Sequence, residues 1–198
     1  MTSRVHYIRS RRQLAALAAA PRQEVVDVLA SLGTASVAEL GAALGRPADA
    51  LYFHLRALTR AGLVRKVQHL SGGRSKGALY RTVSPQLQLQ YEPRKVSNRK
   101  AVSAIVASML RLTTRDFRDA FQGYSVVTSG PHRELWGLRR VGPLSREGLA
   151  RVNRRIQKLG DGVSLPRRRG RLYAVTVVLT PLVHRTKPRA LTKRSPRT

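Results

Sequence analysis

Two runs of helical periodicity between residues 36 and 61 are separated only by Gly45-Arg46-Pro47, and no other feature restricts the fold of this chain so tightly. Glycine can leave a helix in the left-handed region. Proline two residues later cannot prolong that helix, but its fixed φ suits the first turn of the next one. The first run, Ser36 to Leu44, sets Val37, Leu40 and Leu44 on one face, with Thr34 or Ser36 as its cap. The second, Asp49 to Ala61, stacks Leu51, Leu55 and Leu58 and meets Gly62. Two short amphipathic helices joined by so tight a turn form a helix-turn-helix.

The outward face of the second helix carries the chemistry. At about 100° per residue, Asp49, Tyr52, Phe53, Arg56 and Arg60 fall opposite the leucine stripe. A solvated face has little use for adjacent Tyr and Phe between arginines. A face in a DNA major groove can use them on thymine methyl groups and phosphates, with Arg on guanine. His54, at the edge of the stripe, suits a half-buried packing role or a phosphate contact equally. Leu63 to Leu70 and Ala78 to Val83 then read as two strands around Ser71-Gly72-Gly73-Arg74-Ser75-Lys76-Gly77. Arg74 and Lys76 among three glycines make a cationic tip able to lie along a phosphate backbone. An ordinary solvated hairpin would explain that loop if it stood alone.

The run from Leu44-Gly45-Arg46 through Tyr52-Phe53-His54-Leu55-Arg56-Ala57-Leu58 to Ala61-Gly62-Leu63-Val64 resembles the recognition segment of ArsR-type winged helix-turn-helix transcriptional regulators. The likeness covers residues 11 to 84 and is most specific from Leu44 to Val64. It implies a dimeric bacterial or archaeal regulator with the 48–61 helix in the major groove and Arg74 and Lys76 on the wing. The DNA-contacting set expected on this basis is Arg46, Asp49, Tyr52, Phe53, His54, Arg56, Arg60, Arg74 and Lys76. At Pro47, where many members have Ser or Thr, the capping hydroxyl is missing.

The net charge of +28 agrees with a polyanionic partner, although an arginine-rich proteome would raise it too. Residues 1–90 hold 13 Lys/Arg and 4 Asp/Glu, residues 91–184 hold 19 and 6, and residues 185–198 hold 6 and none. Most of the excess therefore lies beyond the helix-turn-helix. Charge alone does not separate DNA from RNA, so an RNA- or ribosome-associated binding protein is the alternative. With no cysteine, disulfides, thiolate metal sites and Cys nucleophiles are excluded. Residues 1–23 have the arginine-rich, acid-free composition of a transit peptide. Residues 11 to 20 nevertheless run without a break into a helix bearing Val25, Val28, Leu29 and Leu32, so the segment is read as structural and uncleaved. No apolar run approaches the roughly 18–20 residues that would span a bilayer, which suggests a soluble, cytoplasmic, nucleoid-associated protein.

Pro85 and Pro93 bracket Gln86-Leu87-Gln88-Leu89-Gln90, a short strand or an extended linker. A long helix from Ser97 or Asn98 follows, with Val102, Ile105, Val106, Met109, Phe117, Ala120 and Phe121 on one side and Gly123 beyond it. It is expected to serve as a core helix, a dimer contact or both. Strands are expected at 124–129, 135–140 and 172–179. Between the last two, a helix from Ser145 carries Leu149, Val152, Ile156 and Leu159 as a narrow apolar seam, ending before a Gly160-Asp161-Gly162 turn. The expected fold class is therefore α+β. It comprises an N-terminal winged helix-turn-helix over 1–84, a linker over 85–97, and a smaller α+β dimerisation or effector domain over 98–184. A disordered basic tail over 185–198 completes the chain.

Catalysis finds little support. Asp116, Asp119, His132 and Glu134 could offer a metal site near Trp136, but Arg115 and Arg118 beside the aspartates explain them as salt bridges, and neither spacing is a ligand signature. There is no GxSxG, Walker loop or dinucleotide fingerprint. The expectation is a homodimer that binds double-stranded DNA, with no enzyme activity, cofactor or metal and with any effector unknown.

Overall fold

The computed structural model describes residues 5–67, 78–123, 125–163 and 170–182. In chain order the elements are β1 (His6–Ile8), α1 (Arg11–Leu17), α2 (Ala20–Leu32), β2 (Ala35–Ser36), α3 (Val37–Leu44) and α4 (Ala48–Arg60). After them come β3 (Val64–Val67), β4 (Leu79–Thr82), β5 (Leu87–Leu89), α5 (Val96–Gln122) and α6 (Arg146–Val163).

Cap chemistry explains most helix ends. Ser10 with Gln13, and Ser36 with Glu39, form capping boxes at the starts of α1 and α3. The continuous helix expected from residue 11 onward is instead two helices broken at Ala18-Ala19. Pro21 explains the break, because its ring is tolerated only in a first helical turn. Arg22 then closes the end of α1, donating from Nε to Ala16 O and from Nη2 to Ala15 O. Gly45, at φ 60°, ends α3 in a Schellman arrangement, with the Arg46 amide donating to Gly41 O at 2.9 Å. Gly62, at φ 70°, ends α4 in the same way, the Leu63 amide donating to Leu58 O at 3.0 Å.

The core gathers around α2, which packs on α1, α3, α4, α5 and β4. Its Val25 and Leu29 are fully enclosed, as are Leu40 of α3 and Leu51 and Leu58 of α4. Strands β2, β4 and β3 form an antiparallel sheet in that order, with Val64 opposite Thr82 and Arg65 opposite Arg81.

Two features alter the expected division of the chain. Strand β5 pairs in parallel with β1, His6 opposite Leu87 and Ile8 opposite Leu89. Residues 85–97 are therefore no free linker but belong to the N-terminal unit. A parallel pair needs a long crossover, and here the crossover is everything from α1 to β4. Asn98 fixes the next corner, its Oδ1 accepting from Glu92 N and its Nδ2 donating to Gln90 O. Helix α5 is 27 residues and about 40 Å long. Val102 and Ile105 join the core, and Gln23 Nε2 donates to Ile105 O at 3.1 Å. Phe117 and Phe121, expected on the same buried side, are 41% and 62% exposed and pack on each other, because α5 runs past the elements that cover its first half.

The C-terminal half also differs from expectation. None of the strands expected at 124–129, 135–140 and 172–179 forms among the described residues. One local clasp survives, in which Glu134 N donates to Val127 O and Val127 N donates to Glu134 Oε2. Helix α6 continues through Gly160-Asp161-Gly162, where a turn was expected. A strand needs a neighbour for its backbone groups, and among the described residues no strand pairs with 172–179. The described part of this half is thus helical and irregular rather than α+β. The expected loop tip at 71–77 and tail at 185–198 lie outside the described residues.

The α3–α4 turn leaves no room at Gly41, where an added Cβ would stand 2.7 Å from Arg46 O. Replacing Gly41 with Ala should lower unfolding stability by about 1–3 kcal/mol, since a backbone atom must move. Gly45→Ala meets no atom and should cost only about 1–2 kcal/mol, from its positive φ. Denaturant titration of both variants checks this, and a neutral Gly41→Ala would contradict the close approach.

Candidate nucleic-acid interface

Helix α4 divides its side chains cleanly. Leu51, Leu55 and Leu58 face α2 and α3 and are at most 1% exposed. Asp49, Tyr52, Phe53, Arg56 and Arg60 are all exposed on the other side. Tyr52 and Phe53 are 48% and 69% exposed, a costly placement for aromatic surface in an unliganded protein. Arg56 and Arg60 are ion-paired with no described carboxylate, so their guanidinium groups are open to an external anion. Pro47 occupies the N-cap position without a side-chain cap, and Asp49 in the first turn complements the helix dipole.

Two expected residues point elsewhere. Arg46 turns inward, its Nη2 2.6 Å from Glu24 Oε2. The other oxygen of Glu24 accepts from Arg115 Nη2, also at 2.6 Å, so one carboxylate of α2 joins the turn before α4 to α5. Arg115 also contacts Asp116, and hydrogen bonds to Glu24 and then Asp116 push its pKa further up. His54 is half-buried, with Nδ1 enclosed and unpartnered among the described residues and its ring edge-on to Phe53 at 5.6 Å. Burial first, then the charges of Arg22 and Arg46, hold its pKa below the ordinary 6.5, so the imidazole is neutral at physiological pH. Arg74 and Lys76 lie outside the described residues.

Sequence reasoning overlooked two exposed cations, Arg65 and Lys66 on β3, the strand that leads toward 68–77. Their strand position beside the cationic loop was the available signal. It also missed the inward pairing of Arg46, for which nothing local gives notice, since Glu24 lies 22 residues away.

The candidate metal ligands are each engaged or apart. Asp116 pairs with Arg115 and Asp119 with Arg118. Glu134 accepts from Tyr173 Oη, Arg171 Nη1 and Val127 N, and these hydrogen bonds, that of Tyr173 foremost, lower its pKa. Among the described residues, no three His, Asp or Glu side chains converge. No described helix is long and apolar enough to cross a membrane.

Residues 14–67, from within α1 to the end of β3, match the family model of a helix-turn-helix domain. No curated protein matches the chain. The chain thus carries a helix-turn-helix domain near its N-terminus, and that domain supports a DNA-binding regulator.

The depressed pKa of His54 sets the sign of one pH effect. At pH below 6.5 the unfolded chain binds the proton more readily than the folded one. The contribution of neutral His54 is therefore whole above that value and is lost as pH falls toward the folded pKa. Burial first, then the charges of Glu24 and Asp116, push the pKa of Asp27 up to about 7, which adds stability to both proteins as pH falls. Between about pH 7.5 and about pH 5.5, urea unfolding should therefore show His54→Gln losing less, or gaining more, stability than the native chain. Identical changes in the two proteins would mean that His54 is not held neutral.

Proposed function

We propose that this chain is a sequence-specific, DNA-binding transcriptional regulator of the ArsR-type winged helix-turn-helix kind, acting by binding rather than catalysis. In this reading α4 enters a major groove and the 71–77 loop is the wing, with Arg74 and Lys76 on phosphates. The observation that carries it is the exposed row Tyr52, Phe53, Arg56 and Arg60, held outward by the fully buried leucine stripe behind it.

The residues divide by the contact each can make. Arg56 lies mid-helix, where a bidentate guanidinium can read guanine O6 and N7. Phe53 and Tyr52 offer apolar surface to thymine methyl groups, and Arg60, in the last turn, is placed for backbone phosphate. Arg65 and Lys66 extend the cationic surface along β3. Arg46 keeps the turn in place through Glu24 instead of touching DNA. Working as a homodimer, the protein reads a two-fold symmetric site, with two copies of α4 in successive major grooves. Such a protein works in the cytoplasm, at the nucleoid.

Selection of random duplex DNA by the purified protein at physiological salt should return a two-fold motif with half-sites about one helical turn apart. Arg56→Ala should then lose about 1–3 kcal/mol on the selected duplex but little on random duplex, whereas Arg74→Ala should weaken both alike. Equal losses for Arg56→Ala on the two duplexes would remove its base-reading role. Recovery of no motif, with tight and salt-sensitive binding to every duplex, would overturn sequence specificity.

A further inference from the structure

Among the described residues, the apolar surface that one chain leaves open is concentrated after α5. Of the large hydrophobic side chains that stand exposed, fourteen fall between Val127 and Leu179, at 42–68% exposure. At roughly half of a full side-chain surface each, they open on the order of 1,000 Å² per chain. A stable protein interface takes about 800 Å² from each partner, and the summed area reaches that amount. The surface is thus of the size a stable dimer needs.

Its pattern identifies the partner. Leu149, Val152, Ile156, Leu159 and Val163 recur at steps of three and four along α6, an unbroken a/d seam. Among the described residues, helix α6 makes no substantial contact with any other helix or strand. Leu149, Ile156 and Val163 fall at a positions and Val152 and Leu159 at d, so the second heptad, though not the first, has the arrangement that favours two parallel strands. Flanking charge agrees. In a parallel pair Arg155 at g faces Gly160 at e, whereas an antiparallel pair would set Arg155 against its own copy. Eighteen residues are short for a free-standing coiled coil, so the seam needs further contacts.

Residues 172–179 can supply them. Leu172, Val175, Val177 and Val178 are each 43–51% exposed, so the apolar side chains of this run are largely uncovered. Among the described residues, no backbone group from 171 to 182 bonds to another backbone group. Arg171 and Tyr173 bond to Glu134, in the irregular segment after α5, and Thr176 Oγ1 lies 2.7 Å from Thr113 Oγ1 of α5. A run held at Arg171, Tyr173 and Thr176, with exposed apolar side chains and no backbone partner among the described residues, is suited to pairing with a second copy.

We infer that a second copy of this chain covers the C-terminal half, the two α6 seams pairing in parallel and the 172–179 segments completing the buried layer, so that residues 125–163 and 170–182 reach their final structure only in the dimer. This rests on the homodimer of the proposed function and names its surface. The recognition helices take no part in it.

The cysteine-free chain permits a direct test by single substitution in the full-length protein. Under mild oxidation Ile156→Cys, at an a position, should give a covalent dimer rapidly, whereas Arg154→Cys, on the outer face, should not. Sedimentation equilibrium should give twice the 22.0 kDa chain mass for the native protein. Ile156→Asp with Leu159→Asp should weaken self-association by about 100-fold or more while helical circular dichroism from α2–α5 persists. A dimer that survives the double substitution, or equal cross-linking at 154 and 156, overturns the inference. So does a native monomer, including one that floats with anionic lipid vesicles or joins only a different protein. The same preparations, assayed on the selected duplex, separate the two failures. Loss of this interface with duplex selection intact refutes the inference alone, and cross-linking at Ile156→Cys without duplex selection refutes only the regulator reading.

Discussion

Everything that gives α4 its direction depends on the enclosure of Val25 and Leu29 in α2. These two aliphatic side chains lie on the one helix that packs against α1, α3, α4, α5 and β4. Full burial of each is worth about 1.5–3 kcal/mol, and it can be had only if the neighbouring helices approach with their own apolar stripes inward. Leu51, Leu55 and Leu58 meet that condition, which turns Tyr52, Phe53, Arg56 and Arg60 outward. The candidate interface is thus a consequence of core packing, whose own residues touch no partner.

The same helix adds an electrostatic tie. Glu24 accepts from Arg46 and Arg115 with different oxygens, and its side chain is only 16% exposed. At such a site the attraction between opposite charges exceeds that of an exposed pair, and the two guanidinium groups meet a carboxylate that cannot be replaced by water without loss. Arg46 therefore belongs to the framework, although its place in the helix-turn-helix suggested a role on DNA. What Glu24 links is the turn that sets the angle of α4 and the long helix that leads to the C-terminal half.

Legibility in the sequence followed the range of the interactions. The α3–turn–α4 unit could be read because its causes are local, with Ser36 and Glu39 at one end, Gly45 and Pro47 in the middle, and the leucine stripe closed by Gly62. Pairing of β1 with β5 could not, since His6 and Leu87 lie 81 residues apart and three-residue strands carry no pattern of their own. The break at Ala18-Ala19 could have been read from Pro21 but was masked by uninterrupted alanine-rich periodicity. Phe117 and Phe121 continue the apolar side of α5 by spacing, yet spacing does not disclose where the covering elements end. The strands expected near 127, 137 and 175 show the limit most clearly, because an apolar run identifies surface to be buried without identifying the chain that buries it.

Charge explains why self-association through the C-terminal half would have to be apolar. A dimer would carry twice the +28 of one chain, and Glu24, Glu92, Asp116, Asp119 and Glu134 already face cations of their own chain. Few carboxylates remain to bridge two copies, so contact between them brings like charges together. Salt screens that repulsion beyond about 10 Å at 0.1 M, while the apolar gain from the seam and the 172–179 run is not weakened by it. Binding to a nucleic acid has the opposite dependence, because it releases counterions from phosphate. On the proposed reading, then, the two halves of the chain respond to ionic strength in opposite senses. Arg56 and Arg60 work best where salt is low, and Ile156 and Leu159 hold the dimer most firmly where salt is high.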